Sequence, residues 1–208
     1  MKNLTPFYET FYTTISNTWP MLTLFIVIMT VLKLSKVFIN NDKFVFYKEF
    51  YNLLFILYIL LLYYLLLGTE NAASGMNFIP FKEITRYSIG SRAFFYNIIG
   101  NIVLFIPFGY FVSDYLKAKK THQILIPSII ISLTAELIQY KIGRAFDVDD
   151  IILNVLGAIL GFMCYISIKN IKRHLPSILR SNWFYNLLAI IVIIIIIILF
   201  GNIWGLSF

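Results

Sequence analysis

Six long apolar runs, separated by short polar connections, dominate the sequence. A run of about 20 apolar residues is long enough to cross the hydrocarbon core of a bilayer as a helix. By this criterion we predict spans near residues 19–34, 50–67, 97–116, 123–140, 150–168 and 184–204. The pattern therefore predicts an all-α, polytopic membrane helix bundle with about six transmembrane helices.

The chain divides into three parts. Residues 1–59 hold a polar and aromatic segment that suits the membrane interface, then the first span and the start of the second. Residues 60–168 hold the core helices and a long loop between the second and third spans. Residues 169–208 hold a basic connection and the last span, whose isoleucine- and valine-rich sequence is expected to face lipid.

Lysine and arginine are unevenly distributed between the two sets of connections. The connections after the first, third and fifth spans carry eleven of the 17 basic residues, and the opposite set carries six. Because basic residues accumulate in cytoplasmic loops, the richer set is predicted to be cytoplasmic. Both termini and the long loop before the third span are then expected outside.

The composition supports a membrane protein and excludes several other classes. The chain is 60% hydrophobic and only 13% charged, which is too apolar for an ordinary soluble domain. Its net charge of +7 comes from short basic groups between apolar runs, so we expect no nucleic-acid binding. Cys164 is the single cysteine, which excludes an internal disulfide and a site of several thiolate ligands.

Most of the polar groups that accompany the apolar runs are concentrated between residues 136 and 161. Charged side chains cost about 2.5 to 3.5 kcal/mol each at the centre of a membrane helix, so such a concentration indicates a functional site. The candidate site residues of this stretch are Glu136, Gln139, Arg144, Asp147, Asp149, Asp150 and Asn154.

One face of the fifth predicted span carries both polar and small residues. Asp147, Asp150, Asn154, Gly157 and Gly161 follow one another at spacings of three and four, which places them on one side of a helix. The GxxxG pair favours close packing against another helix. Helix capping is an alternative role for one or two of the acids, since aspartate at a helix start stabilises its open N–H groups.

The fourth predicted span carries a polar stripe that ends in Glu136 and Gln139. A carboxylate one to two turns below the membrane surface needs a partner, a bound cation or a proton. Among the arginines, Arg144 is expected to pair with Glu136 before Arg86 or Arg92.

Two further sets of residues are expected near the same membrane face. Asn97 and Asn101 lie four apart at the start of the third span, where they either join helices or line the site. Arg86 and Arg92 lie in the long loop and could bind phosphate or carboxylate groups in bidentate fashion.

Several short motifs in order resemble the VanZ-like family. Residues 77–81 read NFIPF, Asn97 and Asn101 open the third span, and FIPFG follows at 105–109. Then come Glu-x-x-Gln, Gly-Arg, Asp-x-Asp-Asp and Asn-x-x-Gly, so that the resemblance covers roughly residues 60–168. It implies a multi-pass protein of the bacterial cell membrane, in a family named after a member associated with resistance to the glycopeptide teicoplanin.

The first functional hypothesis is a binding module without a cofactor. An outward-facing polar pocket would bind an envelope lipid, a glycolipid, a lipid-linked cell-wall component or a glycopeptide, and would thereby reduce sensitivity to glycopeptides. The candidate binding residues are Arg86, Arg92, Asn97, Asn101, Glu136, Gln139, Arg144, Asp147, Asp149, Asp150 and Asn154.

A membrane enzyme is the alternative, and the sequence leaves catalytic turnover open. Glu136, Asp147, Asp149 and Asp150 would hold a divalent cation such as Mg²⁺ and act on a lipid-linked phosphate or glycosyl group. No nucleophile is evident. A proton or ion transporter is disfavoured because its acids would be expected near the middle of the bilayer.

Overall fold

The computed structural model describes residues 5–40, 44–67 and 75–200. Within these residues the protein is built from α-helices, six of which are long and apolar enough to cross a membrane. The predicted all-α class and the six predicted spans are confirmed. The positions of the termini relative to the membrane stay a prediction.

The helices extend further than some of the predicted spans. Their bounds are α1 Thr5–Asn40, α2 Phe46–Leu67, α3 Lys82–Arg86, α4 Arg92–Phe94, α5 Gly100–Leu116, α6 His122–Lys141, α7 Val148–His174 and α8 Asn182–Phe200. A π-helical turn, Phe95–Ile99, joins α4 to α5, and a 3₁₀ helix, Ser177–Arg180, precedes α8. Residues 201–204 of the last predicted span lie outside the described residues.

The chain forms two compact units. One comprises residues 12–60 and 172–208, and its described part holds most of α1, the start of α2 and α8. There, Tyr47 N–H donates to Asn186 Oδ1 over 3.0 Å, and the rings of Tyr47 and Tyr185 lie 5.2 Å apart. Lys33 and Glu49 form an ion pair of 2.9 Å.

The other unit comprises residues 1–11 and 61–171 and contains α3 to α6, most of α7 and the predicted site. Helices α5 and α7 touch backbone to backbone at glycines. A Cβ atom on Gly157 would collide with the carbonyl group of Ile102, and one on Gly161 with that of Ile106. The close packing expected from the GxxxG pattern is therefore present, because only glycine leaves room for the facing carbonyls.

A two-residue parallel ladder fastens the long loop to the segment before α7. Strand β1, Met76–Asn77, pairs with β2, Phe146–Asp147. Phe146 N–H also donates to the carbonyl of Gly75 over 3.0 Å. The sequence did not predict this ladder, since a strand of two residues has no hydrophobic periodicity to detect.

Candidate functional site

Glu136 lies deep in the protein near the C-terminal end of α6. It is 2% exposed, and its carboxylate accepts a hydrogen bond of 3.0 Å from the backbone N–H of Asp147. Ser128, Ser132 and Gln139 are buried on the same helix. The polar stripe read from the sequence therefore faces the interior of the unit.

Asn154 joins this stripe from α7. Its Nδ2 donates to Ser132 Oγ over 2.9 Å, and the residue is 2% exposed. Its Oδ1 accepts no hydrogen bond from any residue that the structure describes. An acceptor buried without a donor is disfavoured by about 1–3 kcal/mol, so this oxygen has the capacity to accept a further hydrogen bond.

Asp150 and Asn101 connect α7 to α5. Asn101 Nδ2 donates to Asp150 Oδ1 over 2.6 Å. Asp150 lies one helical turn before Asn154, on the same face of α7. Three helices thus bring Asn101, Glu136, Asp150 and Asn154 together, and we refer to these four residues as the helix cluster.

Asp149 has a different environment from its neighbour Asp150. It is 1% exposed and accepts backbone hydrogen bonds from Phe81 at 2.5 Å, Glu83 at 2.7 Å and Ile84 at 3.2 Å. These N–H groups open α3, so Asp149 caps that short helix from a distant part of the chain. Its oxygens are therefore engaged in holding the long loop.

Asp147 links the ladder to α7. Its Oδ1 accepts from Asn77 Nδ2 and from the backbone N–H of Asp149, both over 2.9 Å. The second bond is the N-cap interaction that the sequence offered as an alternative. Burial raises the pKa of the Asp147 carboxyl group, and the two N–H donors oppose this only in part.

Arg144 and Gln139 cap the end of α2. Arg144 donates to the carbonyl of Leu66 over 2.9 Å, and Gln139 Nε2 donates to the same oxygen over 2.7 Å. The predicted ion pair between Glu136 and Arg144 is wrong, because these two side chains do not form a salt bridge. The unpaired carbonyls at the end of α2 attract the guanidinium group of Arg144. This group also interacts electrostatically with Glu136 and Asp150.

The remaining candidates are not joined to the helix cluster by a hydrogen bond in the part of the chain that the structure describes. Arg86 is exposed and pairs with Glu83 over 3.0 Å. Arg92 is exposed at the start of α4. Asn97 Nδ2 donates to the carbonyl of Ala93 on its own helix over 2.9 Å. A role for these three side chains in binding stays a prediction.

The acids are not arranged as a metal site. Among residues 5–40, 44–67 and 75–200, no three histidine, cysteine or acidic side chains are placed to share a metal ion. Asp149 and Asp147 bind N–H groups of the loop and of the start of α7, whereas Asp150 binds an amide of α5. The metal-dependent enzyme hypothesis therefore gains no geometric support from this region.

Sequence reasoning gave no specific role to two partners of these side chains. In the sequence, Asn77 is marked only as the first residue of the NFIPF motif, yet its Nδ2 donates to Asp147 Oδ1. The carbonyl of Leu66 accepts from both Arg144 and Gln139. The polar Asn77 at the start of an otherwise apolar loop motif could have indicated its bond to Asp147. No sequence signal identifies a particular backbone carbonyl, such as that of Leu66, as an acceptor.

Six membrane-length helices, three of which share a cluster of buried and half-buried polar side chains, define a multi-pass helical membrane protein. A family model described as VanZ/LLP1 matches residues 19–171. The chain belongs to this family. No curated protein and no solved structure matches it.

Proposed function

We propose that this protein acts in the bacterial cell membrane and lowers sensitivity to teicoplanin-type glycopeptides. It does so by binding an envelope lipid, a glycolipid or the glycopeptide itself at an outward-facing polar pocket around the helix cluster. Membership of the VanZ/LLP1 family supports the biological setting. The unpaired, buried Oδ1 of Asn154 is the observation that carries the choice of site.

The chemistry of the cluster favours a ligand that donates hydrogen bonds. Glu136 and Asp150 contribute carboxylates, Asn154 contributes a free acceptor, and Arg144 is the basic group that interacts with both acids. Such a surplus of acceptors matches the hydroxyl groups of a sugar or an ammonium group.

A binding function fits the arrangement better than catalysis does. The acids are fixed by amide and N–H donors, as in a recognition site whose groups are held in place before the ligand arrives. No three of them share a position where a metal ion could sit, within the residues that the structure describes. The cluster therefore has the features of a preorganised receptor.

The decisive experiment replaces Asp150 by asparagine in cells that depend on this protein. Asp150→Asn keeps the shape and the Oδ1 acceptor for Asn101 but removes the charge. We expect normal protein level in the membrane and loss of the protective effect, measured as the minimum inhibitory concentration of teicoplanin. Asp114→Asn is the matched control, because Asp114 lies near the other end of α5 and pairs with Lys117.

Two results would contradict the proposal. If Asp150→Asn protects as well as the wild type at equal membrane level, the charge of this residue is not used. If wild-type protein has no effect on teicoplanin sensitivity in any background, the biological role is wrong, whatever the cluster binds.

The outward position of the cluster is tested separately. With Cys164 replaced by alanine, single cysteines at Ser91 and Ser177 should differ in labelling by a membrane-impermeant thiol reagent in intact cells. We expect Ser91→Cys to react and Ser177→Cys to react only after lysis, because the basic residues favour a cytoplasmic position for the second. The reverse pattern would place the cluster at the cytoplasmic face.

A further inference from the structure

The loop between α2 and α4 presents apolar side chains outward. We define residues 76–81 as the apolar strap. Phe78 is 65% exposed, Ile79 62% and Phe81 58%, and Met76 and Pro80 are exposed as well. Exposed aromatic and aliphatic groups so close together mark an interaction surface.

The strap is held in shape rather than collapsed onto the protein. Phe78 packs against the buried Phe146 with ring centroids 5.3 Å apart and the rings tilted by 37°, and it still leaves most of its surface free. Phe81 has a left-handed backbone with φ of 67°, which is disfavoured for an aromatic residue. The three backbone bonds to Asp149 around this residue stabilise the unusual conformation.

The position of the strap in the chain indicates what covers it. It follows α2 and precedes the span that begins at Arg92, and both of these segments are long enough to cross the membrane. A connection of this kind leaves and re-enters the bilayer at one surface. Aromatic side chains favour that surface, because their rings tolerate both headgroups and the first part of the acyl chains.

The charges beside the strap favour one class of lipid. Lys82, Arg86 and Arg92 are exposed and follow the strap in the same connection, and Glu83 pairs with Arg86. The remaining charge is positive. Basic groups at a membrane surface are attracted to anionic headgroups.

We propose that the apolar strap inserts into the interface of the protein's own bilayer and that Lys82, Arg86 and Arg92 bind anionic phospholipid headgroups there. The contact is distinct from ligand binding at the helix cluster, because it uses none of the four cluster residues. Asp149 is a positioning residue for the strap: it binds the backbone of the loop and leaves the apolar side chains free to enter the lipid.

The test uses the full chain in lipid nanodiscs, with Cys164 replaced by alanine. An environment-sensitive fluorophore is attached at Ile79→Cys on the strap or at Ser88→Cys, an exposed polar position of the same loop. Nanodiscs contain phosphatidylcholine alone or with phosphatidylglycerol, and brominated acyl chains serve as the quencher. We expect strong quenching and a blue-shifted emission at position 79, weak quenching at 88, and stronger quenching at 79 when phosphatidylglycerol is present.

Two results would overturn the proposal. Equal, weak quenching at both positions would show that the strap stays in water. Strong quenching at 79 that is unchanged by phosphatidylglycerol, and unchanged when Lys82, Arg86 and Arg92 are replaced by glutamine, would show insertion without recognition of anionic lipid. Asp149→Asn should reduce quenching at 79 while leaving the emission at 88 unaltered, which a purely global loss of structure would not do.

Discussion

Asp149 and Asp150 are adjacent in sequence but belong to two different regions of the molecule. Asp150 lies in the helix cluster, where side chains of α5, α6 and α7 meet. Asp149 lies in what we define as the loop clamp, the set Asn77, Asp147 and Asp149 that binds the long loop and the start of α7. The comparison shows that the acidic motif at residues 147–150 contributes both to a candidate ligand site and to the structure that surrounds it.

The two regions differ in what their acids bind. The loop clamp binds mainly backbone N–H groups, which are fixed donors whose loss leaves several buried groups unpaired. In the helix cluster, Asp150 accepts from the side-chain amide of Asn101 and Glu136 from a single backbone N–H, while Asn154 keeps an unused acceptor. The clamp therefore has its hydrogen bonds largely satisfied, whereas the cluster retains capacity for a further partner.

The largest expected effect separates the two regions by stability. Asp149→Ala removes the acceptor of three backbone N–H groups, and we expect a loss of about 2–5 kcal/mol in the free energy of unfolding. Asp150→Asn should cost much less, since the amide oxygen still accepts from Asn101. Thermal unfolding in detergent, read by protease resistance of the loop, measures both. Similar losses for the two variants would mean that the regions are not distinct.

A smaller effect is expected in the pH dependence of the loop clamp. Because burial raises the folded-state pKa of Asp147 above its unfolded value, the folded state holds the proton more tightly. The contribution of this group to stability is therefore full at acidic pH and declines as pH rises through the folded pKa. Asp147→Asn keeps a side-chain oxygen that can accept hydrogen bonds and removes the titratable carboxyl group.

This variant should gain stability relative to the wild type as pH rises from about 4, the unfolded pKa of aspartate, toward neutrality. Melting temperatures of the two proteins in matched buffers give the difference directly, and the titration of other acids is common to both. A relative stability that falls with rising pH would show that the hydrogen bonds to Asp147 outweigh its burial.

The smallest expected effect concerns Glu136 of the helix cluster and Arg144, which belongs to neither region. Arg144 donates to the carbonyl of Leu66, and Glu136 accepts from Asp147 N–H, so the two are not direct partners. Glu136→Gln and Arg144→Gln should then be additive within about 0.5 kcal/mol in a double-mutant cycle. A coupling free energy well above that value would indicate that Glu136 and Arg144 interact directly, as the sequence predicted.

The helices could be predicted from the sequence because each carries its own signal. Apolar runs of membrane length located the spans, and the spacing of Gly157 and Gly161 located a close helix contact that the structure contains. The stripe containing Ser132 and Glu136 likewise faces inward as its period required. These features depend on residues within one or two turns of each other.

The different roles of Asp149 and Asp150 could not be predicted from the sequence. The donors that Asp149 binds are backbone N–H groups 65 to 68 residues earlier in the chain. Nearly every residue has a backbone N–H group, so the sequence does not indicate which of them will bind a given carboxylate. Opposite charges favour a carboxylate as the partner of Arg144, yet its partner in the structure is a carbonyl at a helix end 78 residues away. Charge type was informative, but the identity of the partner depended on tertiary contacts.

The clamp also sets an order of events during synthesis. The loop that Asp149 holds leaves the ribosome before α5 and α6, whereas Asp149 follows them. Its N–H groups at Phe81, Glu83 and Ile84 therefore have no acceptor from this residue until two further membrane helices have been made. Closing so long a stretch of chain is entropically slow, so attachment of the loop is a late step of biogenesis. A newly made chain that stops after α6 contains four of the six membrane-length helices but lacks Asp149, which holds the loop in its native shape.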